Sequence, residues 1–174
     1  MANVKHYVIT SITLGSIAAV SALAIGLSNL VTKNKIKENA AKRINASIVE
    51  LFGEGSSIKE EISTENKGYQ YVEKIYAVSN NDSLIGYGFQ TTGSNMYGKI
   101  SLMVGYDVSY TFKGIYEIVN EQTYASTLED NYIIPLNNNT HELDDVSCGA
   151  TYGATLVRDM VYEAKTALDD LLKV

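Results

Sequence analysis

Thiols are almost absent: the 174 residues contain one cysteine, Cys148. An intrachain disulfide and a thiolate metal cluster are therefore excluded. Histidine is nearly as scarce, and His6 and His141 cannot build a zinc site without further ligands. Cys148 as a nucleophile would need a base, and the nearest histidine in sequence, His141, falls in a loop. Positive charge is in deficit. A formal net charge of −6, with no basic stripe interleaved with aromatics, argues against nucleic acid as a partner. No Walker, Rossmann or haem-attachment pattern occurs. Tryptophan is missing, whereas tyrosine occurs 13 times. Most of these tyrosines are expected on strand surfaces and in the core, with one or two left to stack on a bound ring.

Charge is also missing from one long run, Val8 to Val31. Its 24 positions make a helix of ~36 Å, enough to cross a ~30 Å hydrocarbon core with some tilt. Lys5 and the small residues around Ala22-Leu23-Ala24 also fit a cleaved signal peptide. Apolar residues continue beyond that site through Ile25, Leu27, Leu30 and Val31, which favours a retained single-span anchor. Lys33, Lys35, Lys37, Lys42 and Arg43 follow the run, against Lys5 alone before it. By the positive-inside rule, that balance places the rest of the chain in the cytoplasm.

Ile36, Ala40, Ile44, Ile48, Leu51 and Phe52 then recur at helical steps, and no proline separates them from the anchor. They predict a helical stalk, continuous or nearly so with the anchor, that packs on the domain; a membrane-surface helix is the rival. Gly53-Glu54-Gly55-Ser56-Ser57 is a stop, and Ile58 to Lys67 reads as a polar, acidic linker. Strand texture begins near Tyr69. Tyr71–Val78, Leu84–Thr91, Ile100–Tyr106 and Phe112–Val119 are separated by turn chemistry, with Gly86 and Gly88 marking a bulge or a close approach. The expected fold class is α+β: an N-terminal transmembrane helix (1–32), a helical stalk and linker (33–67), then a small antiparallel sheet packed by a C-terminal helix (68–174).

That last helix shows the clearest periodicity. Leu156, Val157, Met160, Val161, Ala164, Leu168, Leu171 and Leu172 mark one apolar face. Ahead of it lies the small, glycine-rich stretch Asp145 to Gly153. Two readings follow from such a turn. Asp, Ser or Thr before an apolar helix caps its first N–H groups, and the same N–H groups with the helix dipole favour a bound phosphate.

Asp145-Val146-Ser147-Cys148-Gly149-Ala150-Thr151 resembles the flavinylation motif of the FMN-binding domain family. That family includes the G subunit of Rnf electron-transport complexes and the C subunit of sodium-translocating NADH:quinone reductases. Its pattern is Asp, two variable residues, Ser or Thr, Gly, Ala, then Thr, and Cys148 stands where Ser or Thr is usual. Gly-Ala-Thr occurs twice, but only Thr151 has an acid six positions upstream; Thr155 has Gly149 there. The middle of the chain follows the family in order, through Gly86-Tyr87-Gly88-Phe89, Tyr97-Gly98-Lys99-Ile100, Met103–Asp107 and Ile115–Thr123. Asn29-Leu30-Val31-Thr32 is similar to its post-membrane segment. The family's Glu-Thr-Pro-Gly-Leu-Gly loop has become Gln122-Thr123-Tyr124-Ala125-Ser126-Thr127 here.

The resemblance implies FMN joined through a phosphoester to Thr151, with Gly149, Ala150 and Cys148 around it and Asp145 as the recognition or turn-forming residue. Thr123 is the one carry-over from the divergent loop, as a donor to the isoalloxazine. It implies installation by an FAD-dependent flavin transferase, an extracytoplasmic flavin domain, and electron relay to other membrane subunits or extracellular acceptors, with no substrate turned over alone. An Rnf-type subunit and a stand-alone carrier both fit. A membrane-anchored binding or structural module, pilin-like or sensor, in which Thr151 merely caps a helix, is the competing class. Glu129, Asp130, Glu142, Asp144 and Asp145 cluster near the motif as a solvated face or a divalent-ion site.

Overall fold

The computed structural model describes residues 2–65 and 67–172. Met1, Asn66, Lys173 and Val174, at the edges of the expected segments, lie outside the described residues. So do the side chains of Lys5, Leu30, Val31, Lys37 and Leu172. The chain divides into two compact units, Met1–Lys42 and Arg43–Val174.

Helix α1 spans Ala2–Phe52, as the unbroken period without proline implies. Within the first unit, His6–Asn29 is long and apolar enough to cross a membrane, and its side chains are exposed. The hydroxyls of Thr10, Thr13 and Ser16 each donate to the carbonyl four residues back, at 2.9 Å. That satisfies polar groups which hydrocarbon could not.

The second unit is α+β. Strands β1 (Ser56–Ile62), β2 (Val72–Asn80), β3 (Ser83–Asn95), β4 (Gly98–Asp107) and β5 (Phe112–Asn120) form an antiparallel meander in the order β1-β2-β3-β4-β5. The short helices α2 (Ala125–Leu128) and α3 (Ile134–Asn137) flank a π-helical turn, Glu129–Ile133. Helix α4, Thr151–Leu172, closes the chain.

Strand alternation sends β4 side chains to two cores. Ile100, Leu102 and Val104 meet Val157, Met160, Val161, Ala164 and Leu168 of α4. Met103 faces the opposite way, toward Ile48, with Tyr76, Val78 and Ile118, and Ile44, Leu51 and Phe52 pack around them. The sheet is thus covered on both faces, by α4 and by the last turns of α1. Gly86 and Gly88 permit the second contact. A Cβ on Gly86 would lie 2.6 Å from Phe52 Cε1, and one on Gly88 would lie 3.0 Å from Ile48 Cδ1. Gly53, at φ +92°, ends α1 by donating its N–H to the Val49 carbonyl at 2.8 Å.

Two expectations need correction. The stretch from Ile58 onward begins as strand β1, not as an unstructured linker. A register shift between Ile58 and Glu60 explains why the strand was hard to read. Ile58 packs on the α1 side and Ile62 on the α4 side, so the bulge breaks the alternation that marks a strand. The region after Thr123 is helical rather than loop, with Leu128, Tyr132, Ile133 and Leu136 buried. Each helical piece is too short for a persistent period, and neither α2 nor α3 has a side-chain cap.

Candidate functional site

Three sequence-distant pieces meet around one cleft of about 170 Å³. The β3–β4 hairpin brings Tyr97. The segment leaving β5 brings Gln122, Tyr124 and Leu128, and the start of α4 brings Gly149 through Gly153. The hairpin tip is held by polar contacts. Tyr97 N–H donates to Asn95 Oδ1 at 2.8 Å, and Asn95 Nδ2 donates to the Tyr152 carbonyl at 3.1 Å. Gln122 Nε2 donates to the Gly98 carbonyl at 2.6 Å. Thr123 donates both its N–H (2.8 Å) and its hydroxyl (3.2 Å) to the Tyr97 carbonyl.

The motif residues divide between the cleft and its support. Gly149, Ala150 and Thr151 line the cleft. Thr151 is exposed as the first residue of α4, while Ala150 is buried and supplies no capping oxygen. The N–H groups of that first turn and the dipole behind them favour an anion here. Gly149 has φ +83°, a left-handed conformation that costs a side-chain-bearing residue about 1–2 kcal/mol. Thr155 is half-buried, one turn further along, and is not in the cleft wall.

Asp145 and Cys148 do not line the cleft. Asp145 Oδ1 accepts the Ser147 N–H at 3.1 Å, closing an Asx turn, and its carbonyl meets His141 Nε2 at 2.5 Å. Cys148 is buried, and its carbonyl accepts from Asn131 Nδ2 at 3.1 Å. The neighbouring Tyr132 is fully buried and donates its hydroxyl to the Leu143 carbonyl. Burial pushes the Tyr132 phenol well up from its ordinary range. The π-helical turn thereby fixes the loop that presents the motif. Thr123, whose hydroxyl is spent on the hairpin tip, does not line the cleft. Among the described residues, no three of the acids, histidines or the cysteine gather as a metal site.

Sequence reasoning did not single out Tyr97, Gln122, Tyr124, Leu128 or Tyr152. The three tyrosines form a cluster, with the Tyr97 ring 5.6 Å from the rings of both Tyr124 and Tyr152. Tyr124 is 51% and Tyr152 62% exposed, which is generous for aromatic rings that already touch. The signals were the tyrosine excess and the matched segments at Tyr97 and Gln122–Thr127. Choosing these three from 13 requires knowing that residues 97 and 152 adjoin.

The cleft wall holds no carboxylate, imidazole, thiol or amine. It therefore offers the Thr151 hydroxyl, three phenols with their aromatic faces, an amide and helix-end N–H groups. Pockets that enclose a whole small molecule run to ~300–1,000 Å³. At about 170 Å³ this one is smaller than that range. No family model and no curated protein matches the chain, so the likeness drawn from Asp145–Thr151 stands on the motif and its setting.

Proposed function

We propose that the protein is a membrane-anchored flavoprotein that relays electrons through FMN bound covalently to the Thr151 hydroxyl. The observation that carries this reading is the position of Thr151. It is an exposed hydroxyl on the first turn of α4, at the lip of an uncharged, tyrosine-lined cleft.

The residues present suit the group. A phosphate on Thr151 would be next to the first-turn N–H groups, where a negative charge is stabilised by ~0.3–1 kcal/mol at an exposed helix end. Gly149 and Gly153 keep the cleft floor bare; a Cβ on Gly153 would come within 3.0 Å of Leu128 Cδ2. Tyr97, Tyr124 and Tyr152 offer apolar faces with polar tips. A cleft this small cannot retain a nucleotide by enclosure, and a covalent bond supplies the retention that burial does not. The flavin would supply one- and two-electron exchange, and the chain would position it and tune its potential. Asp145 shapes the turn that a flavin transferase would have to recognise, and Cys148 fills space behind it.

Within this reading the second unit lies outside the cytoplasmic membrane. It passes electrons to neighbouring membrane subunits of Rnf type or, for a stand-alone carrier, to extracellular acceptors. The test is coexpression of the full chain with an FAD-dependent flavin transferase, followed by intact mass and in-gel flavin fluorescence after denaturation. Wild type and Thr155→Val should carry one FMN; Thr151→Val and Asp145→Ala should carry none while still folding. A wild-type chain that stays colourless would refute the flavin assignment.

A further inference from the structure

Gln122 has an unused acceptor in the cleft. The residue is only 7% exposed, yet it forms part of the cleft wall. Its Nε2 donates to the Gly98 carbonyl at 2.6 Å, and its backbone N–H donates to Asn120 Oδ1 at 3.1 Å. An amide's two ends are told apart by their hydrogen bonds, and a carbonyl partner requires the nitrogen. The side-chain oxygen is therefore turned the other way. It lies 3.4 Å from the place a Cβ on Gly153 would occupy, in the part of the wall that α4 contributes. Among the described residues no donor reaches Gln122 Oε1. The oxygen is not one of the fully buried polar atoms left without a partner among the described residues, so it opens to the cleft, where it can accept an N–H or O–H from whatever occupies the space.

We infer that Gln122 reads the flavin ring by accepting its imide N–H, an assignment that rests on the covalent FMN proposed above. The oxidised isoalloxazine has a single N–H, the imide between its two carbonyls, and its other ring heteroatoms only accept. The phenols of the wall can donate or accept, whereas the Gln122 oxygen can only accept, which suits that N–H. The tyrosine faces and Leu128 take the flat apolar part of the ring. Gln122 thus sets both the orientation of the ring and the readiness of its imide to ionise.

The test uses the full chain coexpressed with a flavin transferase, as wild type, Gln122→Met and Gln122→Glu. Intact mass is read first. Absence of FMN from wild type refutes the parent reading. With FMN in place, the flavin spectrum is titrated with alkali. Wild-type imide should ionise at higher pH than free FMN. Gln122→Met should bring it back by roughly tenfold in acid constant, the worth of one hydrogen bond. Gln122→Glu retains an acceptor and should ionise at or above the wild-type pH. Both variants lose the bond to the Gly98 carbonyl, so a purely structural role would move them alike. Parallel shifts in the two variants, or an imide that ionises as in free FMN in wild type, would overturn the assignment while leaving the tether intact.

Discussion

Thr91 is wholly buried in β3, and its hydroxyl has no hydrogen-bond partner. By strand alternation it faces α4, between Phe89 and Gly93. Replacing an unsatisfied hydroxyl by a methyl of the same shape removes a desolvation penalty. Thr91→Val should therefore stabilise the fold by about 1 kcal/mol, measured by denaturant unfolding. Glu117 on β5 is strained in a different way. Burial raises its carboxyl above the ordinary carboxylate range, the Asn120 amide partly opposes this, and nearby Glu129 adds to it. A raised folded value means that the native state binds the proton more tightly than the unfolded chain. The penalty is absent below the unfolded value and complete above the folded one, so this group costs stability as pH rises through that window. Glu117→Gln should raise the melting temperature at neutral pH and leave it nearly unchanged at about pH 3, below the ordinary ~4.3 of a glutamate. Neither residue stands out in the sequence, because Thr and Glu on a half-polar strand look solvent-facing until the covering helices are known.

At the scale of elements, α4 does two jobs with one sequence. Its apolar stripe builds the larger core, and Glu163 on its side gathers the N–H groups of Gln70, Tyr71 and Val72. Those donors lead into β2, and the carboxylate holds the strand's first turn of chain to the helix. Glu163→Ala should cost about 2–3 kcal/mol and speed amide exchange at residues 70–72, since hydrogen bonds to a charged acceptor are each worth ~1.5–3 kcal/mol. The opposite face depends on missing side chains. A Cβ on Gly86 would stand 2.3 Å from the Tyr106 carbonyl oxygen and 2.6 Å from Phe52 Cε1. The long elements were legible for different reasons: α4 from its helical steps, β4 from its alternation, and β2, β3 and β5 as β-rich runs bounded by turn chemistry. The turn at Asn81 and Asp82, both at positive φ, was legible from turn chemistry alone. Strand β1 was not, because its bulge cancels the alternation. The α2–α3 run was not, because three short helical pieces share too few turns.

For the whole molecule, the motif was readable as a contiguous string, whereas the cleft was not. Gln122 and Tyr97 join Thr151 only through the hairpin and the β5 exit. The divergent loop after Gln122 hid the residues that line the cleft, and Thr123 turned out to brace the hairpin. The N-terminal helix was readable from its uncharged run, but orientation sets two signals against each other. Glu38 pairs with Lys42 at 2.8 Å and Lys35 at 3.3 Å, and those lysines hold its carboxyl below the ordinary range. The proposed topology predicts that protease added to intact spheroplasts digests the second unit, and full protection would place it in the cytoplasm. The most direct test of the proposed flavin site is peptide mass spectrometry on the full chain after coexpression with a flavin transferase, with fragmentation to locate the adduct. The expected result is FMN on Thr151, and an adduct on Thr155, or on no residue, would contradict it.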